Sequence, residues 1–281
     1  MLQPHCGGRR ARNHGRPALH PPRGRLALAR RGRHKSQVEP AEYDLMDAAE
    51  DGMWWYRAAH ARVLDALRAR PGAAGPLLDA GCGTGGLLRC LADAMPDRGA
   101  FGLDYMQAAA ARAAAKSGRP VTAGDANRLP FQDESFGAAI SIDVICHAGV
   151  EPTRALAELR RVLRPGGTLV LNLPSYEWLR SAHDLRVHNA RRYTRASGAR
   201  MLEEAGFAAV AARYWNGLLL PLMALQRKVL QRRPDAPSDV THFPPWIDAT
   251  LHAVSEAERW ITSRGLAMPG GGSLLLLATR P

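Results

Sequence analysis

From Pro76 onward, short apolar runs alternate with longer stretches in which apolar residues recur every three or four positions. The runs PLLDA, AFGLD, VTAGD and FGAAISIDV read as strands ending near residues 80, 104, 125 and 144. Between them, residues 85–94, 105–116 and 153–163 have helical periodicity. Pro165-Gly166-Gly167 turns the chain into a fifth strand, TLVLNLP. A polar stretch follows over 174–193, then a helix over 195–205 stopped by Gly206, and a strand starting at Phe207. A helical insertion, 217–264, separates that strand from the last, SLLLLATR. Upstream, residues 41–70 read as one helix with Trp54, Trp55, Val63, Leu64 and Leu67 available to pack. Strands alternating with helices imply a parallel sheet covered on both faces.

Charge is unevenly distributed. The net charge is +12, yet residues 1–38 carry nine arginines, Lys35 and no acid. The rest is nearly neutral, so the basic character belongs to a Gly-, Pro- and Arg-rich tail that cannot bury a core and is expected to be disordered. Three readings of this tail stay open: sequence upstream of a misplaced start, a solvated or weakly anion-binding tail, or a targeting segment. Residues 39–281 form the expected domain. The longest apolar runs, such as Leu274–Ala278, are too short to span a bilayer, and four cysteines without a C-x-x-C pair fit reduced thiols in a cytoplasmic protein.

The stretch LLDAGCGTGG, residues 77–86, places Gly81, Gly83, Gly85 and Gly86 between the first strand and first helix. In open parallel sheets this loop lies where ligands bind, and glycines let a ligand touch the main chain. Asp104 ends the second strand, where a carboxylate can accept from both ribose hydroxyls. Asp125 ends the third and can accept from an adenine amino group. Each could equally be a helix N-cap. Together they outline an adenosine.

LLDAGCGTGGLLRCLA, FGLDYM, AGDANRLPFQDESFGAAISID and ELRRVLRPGGTLVLNLP resemble the class I S-adenosylmethionine-dependent methyltransferases of the type 11 group, over about residues 77–210. The resemblance implies a Rossmann-like, seven-stranded sheet with helices on both faces and a helical insertion before the last strand. It implies S-adenosylmethionine as cofactor. Asp79, Gly81, Cys82, Gly83 and Gly85 would take the methionine end, Asp104 the ribose, and Tyr105 or Met106 would pack on the adenine, with Asp125 and Ala126 at its edge. Ser141 and Asp143, ending the fourth strand, would sit near the sulfonium and the acceptor.

Two places offer acceptor-side chemistry. Asp143-Val-Ile-Cys146-His147 resembles the acidic–x–x–acidic–His stretch of ubiquinone-biosynthesis O-methyltransferases, whose side chains contact a divalent metal. Cys146 replaces the second acid, so no metal is expected, and His147 is a candidate base or a loop-capping histidine. In 174–193, His183 and His188 are candidate bases oriented by Asp184, with Arg191 and Arg192 available for an anionic group; the alternative is a solvated basic loop. Leu218, Leu222, Leu225 and Val229 share a helical face that would roof the site or touch a membrane surface. The expected function is methyl transfer to a small hydrophobic, quinone-, lipid- or glycan-like acceptor. An RNA methyltransferase using the basic tail is the alternative.

Overall fold

A computed structural model describes residues 40–227 and 243–281. The basic tail and residues 228–242, including Val229, lie outside the described residues. Seven strands form one sheet in the order β3-β2-β1-β4-β5-β7-β6. They are β1 Leu77–Ala80, β2 Ala100–Asp104, β3 Val121–Ala123, β4 Phe136–Ile142, β5 Leu163–Pro174, β6 Ala208–Trp215 and β7 Ser273–Thr279. The first five run parallel, and β7 lies antiparallel between β5 and β6. Leu77 and Leu78 point to opposite faces and are both fully buried, in separate apolar clusters. Val170 and Leu171 of β5 divide in the same way, so the apolar runs are strands covered on both sides.

The helix expected over 41–70 is two helices, α1 Pro40–Ala49 and α2 Trp54–Ala69. Gly52 is a poor helix former, and the Asp248 carboxylate accepts from the Trp54 N–H at 2.7 Å, starting a new helix there. Next come α3 Gly86–Ala94, α4 Gln107–Ser117 and α5 Pro152–Val162. Helix α4 begins two residues later than expected, which leaves Tyr105 and Met106 in the turn after β2. Strand β5 begins at Leu163 and takes Pro165–Gly167 into itself, with a register shift opposite Phe136–Ala138. The short α6 Ala182–Arg186 and α7 Arg195–Glu204 follow.

The insertion before β7 contains α8 Leu220–Leu225 and α9 Pro245–Ser263. Leu218, Leu222 and Leu225, expected to roof the site or touch a membrane surface, are exposed. Helix α9 is tied to α2 by buried Arg62, which donates to the Ala58 carbonyl at 3.1 Å and the Ser255 carbonyl at 2.9 Å, and stands over the Trp215 ring at 4.6 Å. Glu258 accepts from the N–H groups of Asn216, Gly217 and Leu218 at 2.6–2.9 Å, fixing the turn after β6. No described helix is long and apolar enough to cross a membrane.

Candidate active site

The carboxyl ends of the parallel strands open into a cavity of about 420 Å³. Its floor is the loop after β1. Gly81 has φ 91°, and a Cβ there would come within 2.1 Å of Val144. Gly83 has φ 55°, and a Cβ would come within 2.7 Å of the Met46 sulfur. The loop is held over β2 because Gly81 and Cys82 both donate their N–H to the Leu103 carbonyl, at 2.7 and 2.9 Å. Gly81, Cys82 and Gly83 line the cavity. Gly85, φ 100°, does not; a Cβ there would strike Ala113 of α4, so this glycine permits helix packing.

Asp79 is buried, and its Oδ2 has no hydrogen-bond partner. Burial, then the charges of Asp104 and Glu50, push its pKa up to about 8. A buried carboxyl with an open lone pair fits a ligand ammonium. Asp104 is also buried. Its Oδ2 accepts from the Gly83 N–H at 2.9 Å, and its Oδ1 from the Met106 N–H at 2.9 Å and the Tyr43 hydroxyl at 3.1 Å. Burial raises its pKa against those donors. Asp125 Oδ1 accepts from the Asn127 N–H and Nδ2, forming a local turn, and the residue lines the cavity with Ala126 and half-exposed Tyr105. Ser141 does not reach the cavity: its hydroxyl donates to the Ala80 carbonyl at 2.8 Å, tying β4 to β1.

Helix α1 and Glu50, just beyond its end, supply residues that sequence reasoning missed. Tyr43, Met46 and Glu50 all line the cavity. Glu50 is buried and accepts from the Thr84 hydroxyl and from Lys116, each at 2.6 Å. Burial raises its pKa while Lys116 lowers it. Helix α1 is therefore a strap bonded across the glycine loop at both ends.

Just past the end of β4, Asp143 has φ 52°, a left-handed conformation that costs free energy outside glycine and is tolerated best by Asn and Asp. Its Oδ1 accepts from Asn172 Nδ2 at 3.0 Å, and Asn172 Oδ1 accepts from the Trp215 indole at 2.7 Å. Burial pushes the Asp143 pKa up to about 7. His147 Nδ1 donates to the Val187 carbonyl at 2.6 Å, which leaves the lone pair on Nε2. Burial lowers its pKa, so the ring is neutral near pH 7, and a weaker base than a free imidazole. His147 and His183 line the cavity; His188, φ 53°, does not. Cys146 is fully buried, its thiol within 3.1 Å of the Asp143 carbonyl and 3.0 Å of Asn189 Oδ1, away from the cavity.

Asp184 does not orient a histidine. It is fully buried and takes a bidentate bond from Arg192, Nε at 3.0 Å and Nη2 at 2.8 Å, besides capping the Ser181 N–H. The guanidinium holds its carboxyl below the usual range despite burial. Arg191 donates to the carbonyls of His147 and Val150. The expected basic half of the pocket thus contracts to Arg192, already paired, and Arg227, which donates to the Leu179 carbonyl at 2.9 Å. The apolar wall is Met53, Trp54, Trp55, Met223 and Phe243. Trp55 stacks on Trp215, ring centroids 5.9 Å apart.

Comparison with known proteins places these features in context. Residues 78–171 match a family model described as a methyltransferase domain. The chain is 37% identical over 196 residues to an uncharacterized 37.1 kDa protein in a transposon of Streptomyces fradiae, covering 64% of this chain and 54% of the relative. It is 37% identical over 130 residues to the 24-methylenesterol C-methyltransferase 2 of Oryza sativa, covering 44% of this chain and 34% of that enzyme. This chain therefore spans about half or less of these relatives' lengths. Among solved structures it superposes with TM-score 0.54 on a Thermotoga maritima S-adenosylmethionine-dependent methyltransferase described as a possible histamine N-methyltransferase. That match has 21% identity and covers 86% of this chain and 95% of the other.

Proposed function

We propose, for a chain whose residues 78–171 form a type 11 class I S-adenosylmethionine-dependent methyltransferase domain, that it transfers the cofactor's methyl group to a small, largely hydrophobic acceptor. The observation that supports this most directly is the single cavity joining the glycine loop, with the unpartnered Asp79 Oδ2, to Asp143, His147 and the apolar wall. Asp79 and the main chain at Gly81–Gly83 would hold the amino-acid end of the cofactor. Asp104 would take the ribose hydroxyls, and Tyr105, Asp125 and Ala126 the adenine. The cofactor supplies an electrophilic methyl group when bound. The protein aligns the acceptor, excludes water through α1 and the 174–193 segment, and offers His147 Nε2 to take the acceptor's proton.

A hydrophobic quinone-, lipid- or glycan-like metabolite fits the tryptophan and methionine wall. An RNA acceptor drew its support from the basic tail, which lies outside the described residues. Calorimetry on the purified protein is the test. S-adenosylmethionine and S-adenosylhomocysteine should bind and NAD should not. Asp104→Ala should weaken cofactor binding by about 1.5–3 kcal/mol, the scale of hydrogen bonds to a charged group. Tight NAD binding with no response to S-adenosylhomocysteine would overturn the reading.

A further inference from the structure

Among the acids lining the cavity, Glu42 and Glu50 belong to the α1 side, and Glu50 is matched by Lys116. Asp79 faces the glycine loop, while Asp104 and Asp125 lie at the ends of β2 and β3. That leaves Asp143 as the strand-end carboxylate beside His147 at the acceptor end. Of the two arginines there, Arg192 is neutralised by Asp184 and Arg227 is turned to a main-chain carbonyl. Both guanidinium groups keep their charge, and among the described residues Asp143 is the carboxylate at this end that no side-chain cation binds directly, so it is the group placed to hold a ligand cation.

We propose, resting on the methyltransferase reading, that the acceptor is a hydrophobic amine whose nitrogen is methylated, with Asp143 as its counter-ion. Trp215 and Asn172 are positioning residues for that carboxylate. The Trp215 indole can only donate, so it fixes the Asn172 amide with its oxygen toward the ring and its NH₂ toward Asp143. Asn172 thereby fixes Asp143 Oδ1 as an acceptor. The left-handed main chain at Asp143 is a strain retained where the side chain faces the cavity. Trp54, Trp55 and Tyr56 line the same cavity and add aromatic surface suited to an ammonium's apolar part.

The groups facing Asp143 are Asn172 from β5, Arg192 and Asp184 from the 174–193 segment, Arg227 beyond α8, and Tyr56 from α2. With its pKa at about 7, Asp143 is part-protonated in the ligand-free protein near neutrality, and an ammonium would hold it ionised. The chemistry balances without a further reagent. The bound ammonium gives one proton to His147 Nε2. The nitrogen lone pair then forms the N–C bond as the C–S bond breaks and sulfur keeps its electron pair. The sulfonium charge passes to the nitrogen, which leaves as a methylammonium or sheds a proton to water.

The test compares three probes of one shape in the presence of S-adenosylhomocysteine: 2-phenylethylamine, 2-phenylethanol and 3-phenylpropanoate. Calorimetry should show the amine binding more tightly than the alcohol and the acid. Asp143→Asn keeps a residue suited to the left-handed main chain. It should weaken the amine by about 10- to 100-fold while S-adenosylhomocysteine affinity is unchanged. Labelled S-adenosylmethionine should then yield an N-methylated product. The inference is overturned if the acid or alcohol binds as tightly as the amine, if the amine does not bind, or if Asp143→Asn leaves amine affinity intact. The probe comparison needs no variant, so a misfolded mutant does not blunt it. Failure of S-adenosylhomocysteine itself to bind would instead strike the methyltransferase reading.

Discussion

Asp79 and Asp143 carry their protons far above the usual carboxyl range, to about 8 and about 7, because burial penalises their charged forms. Unfolded, both would ionise near pH 4. The folded, ligand-free protein therefore binds more protons than the unfolded chain through this range, and the stabilisation is lost as pH rises through the folded values. His60 acts in the opposite sense. Buried and held at about 4, it destabilises the fold mainly below about pH 6.5. Between pH 6.5 and 8 the carboxyls dominate, opposed in part by the buried histidines His60 and His147, whose unfolded forms still shed protons there, and the ligand-free protein should lose on the order of 1 kcal/mol. Urea melts at the two pH values check this, and a flat or rising profile would show that the folded carboxyls are already ionised. Saturating S-adenosylmethionine should flatten the loss. Asp79, Asp104 and Asp125 were legible in the sequence because a strand end and a glycine cluster are local signals. Tyr43 and Glu50 were not, because each meets its partner across a long separation, 61 residues to Asp104 and 34 to Thr84.

The 174–193 segment shows how an element misleads at sequence level. Its density of His, Asp and Arg reads as catalytic machinery, yet much of it is scaffolding. Arg192 clamps Asp184 and the Ser175 carbonyl, and Arg180 donates to the carbonyls of Asn189 and Ala190. Residue type is visible in a sequence; which donor meets which acceptor depends on the folded path of the loop. Asp184→Ala leaves the Arg192 guanidinium buried and unpaired, so it should cost about 3–5 kcal/mol. Pairing it with Arg192→Met should recover part of that loss. Chemical denaturation of the single and double variants checks the prediction, and additive losses would refute a coupled pair. The helix boundaries were less legible than the strands. The break between α1 and α2 depends on Asp248, contributed by α9. Leu218, Leu222 and Leu225 lie outward, while Leu219 is buried and Met223 lines the cavity.

At the scale of the whole molecule, the buried two-faced sheet followed from the alternation of apolar runs with amphipathic stretches, and its seven strands from the family resemblance, whereas the strand order, with β7 antiparallel between β5 and β6, was not read from the sequence. The charge did not bear on the fold, since the tail holds most of the excess. A chain starting near Val38 should keep its melting temperature and its affinity for S-adenosylhomocysteine. Scanning calorimetry and titration of the shortened protein check this, and a large loss of either would mean that the tail docks on the folded region.

The position of β7 between β5 and β6 imposes an order in time. Synthesis delivers β6 well before β7, and within the sheet β6 pairs with nothing else. Trp215, at the end of β6, cannot be registered against Ser273 until β7 emerges, so its hold on Asn172, and through it Asp143, comes late. The nucleoside end is built from strands β1 to β3 and the helices between them, all made early. A nascent chain can thus shape the part of the cavity around the glycine loop before the part around Asp143 is complete.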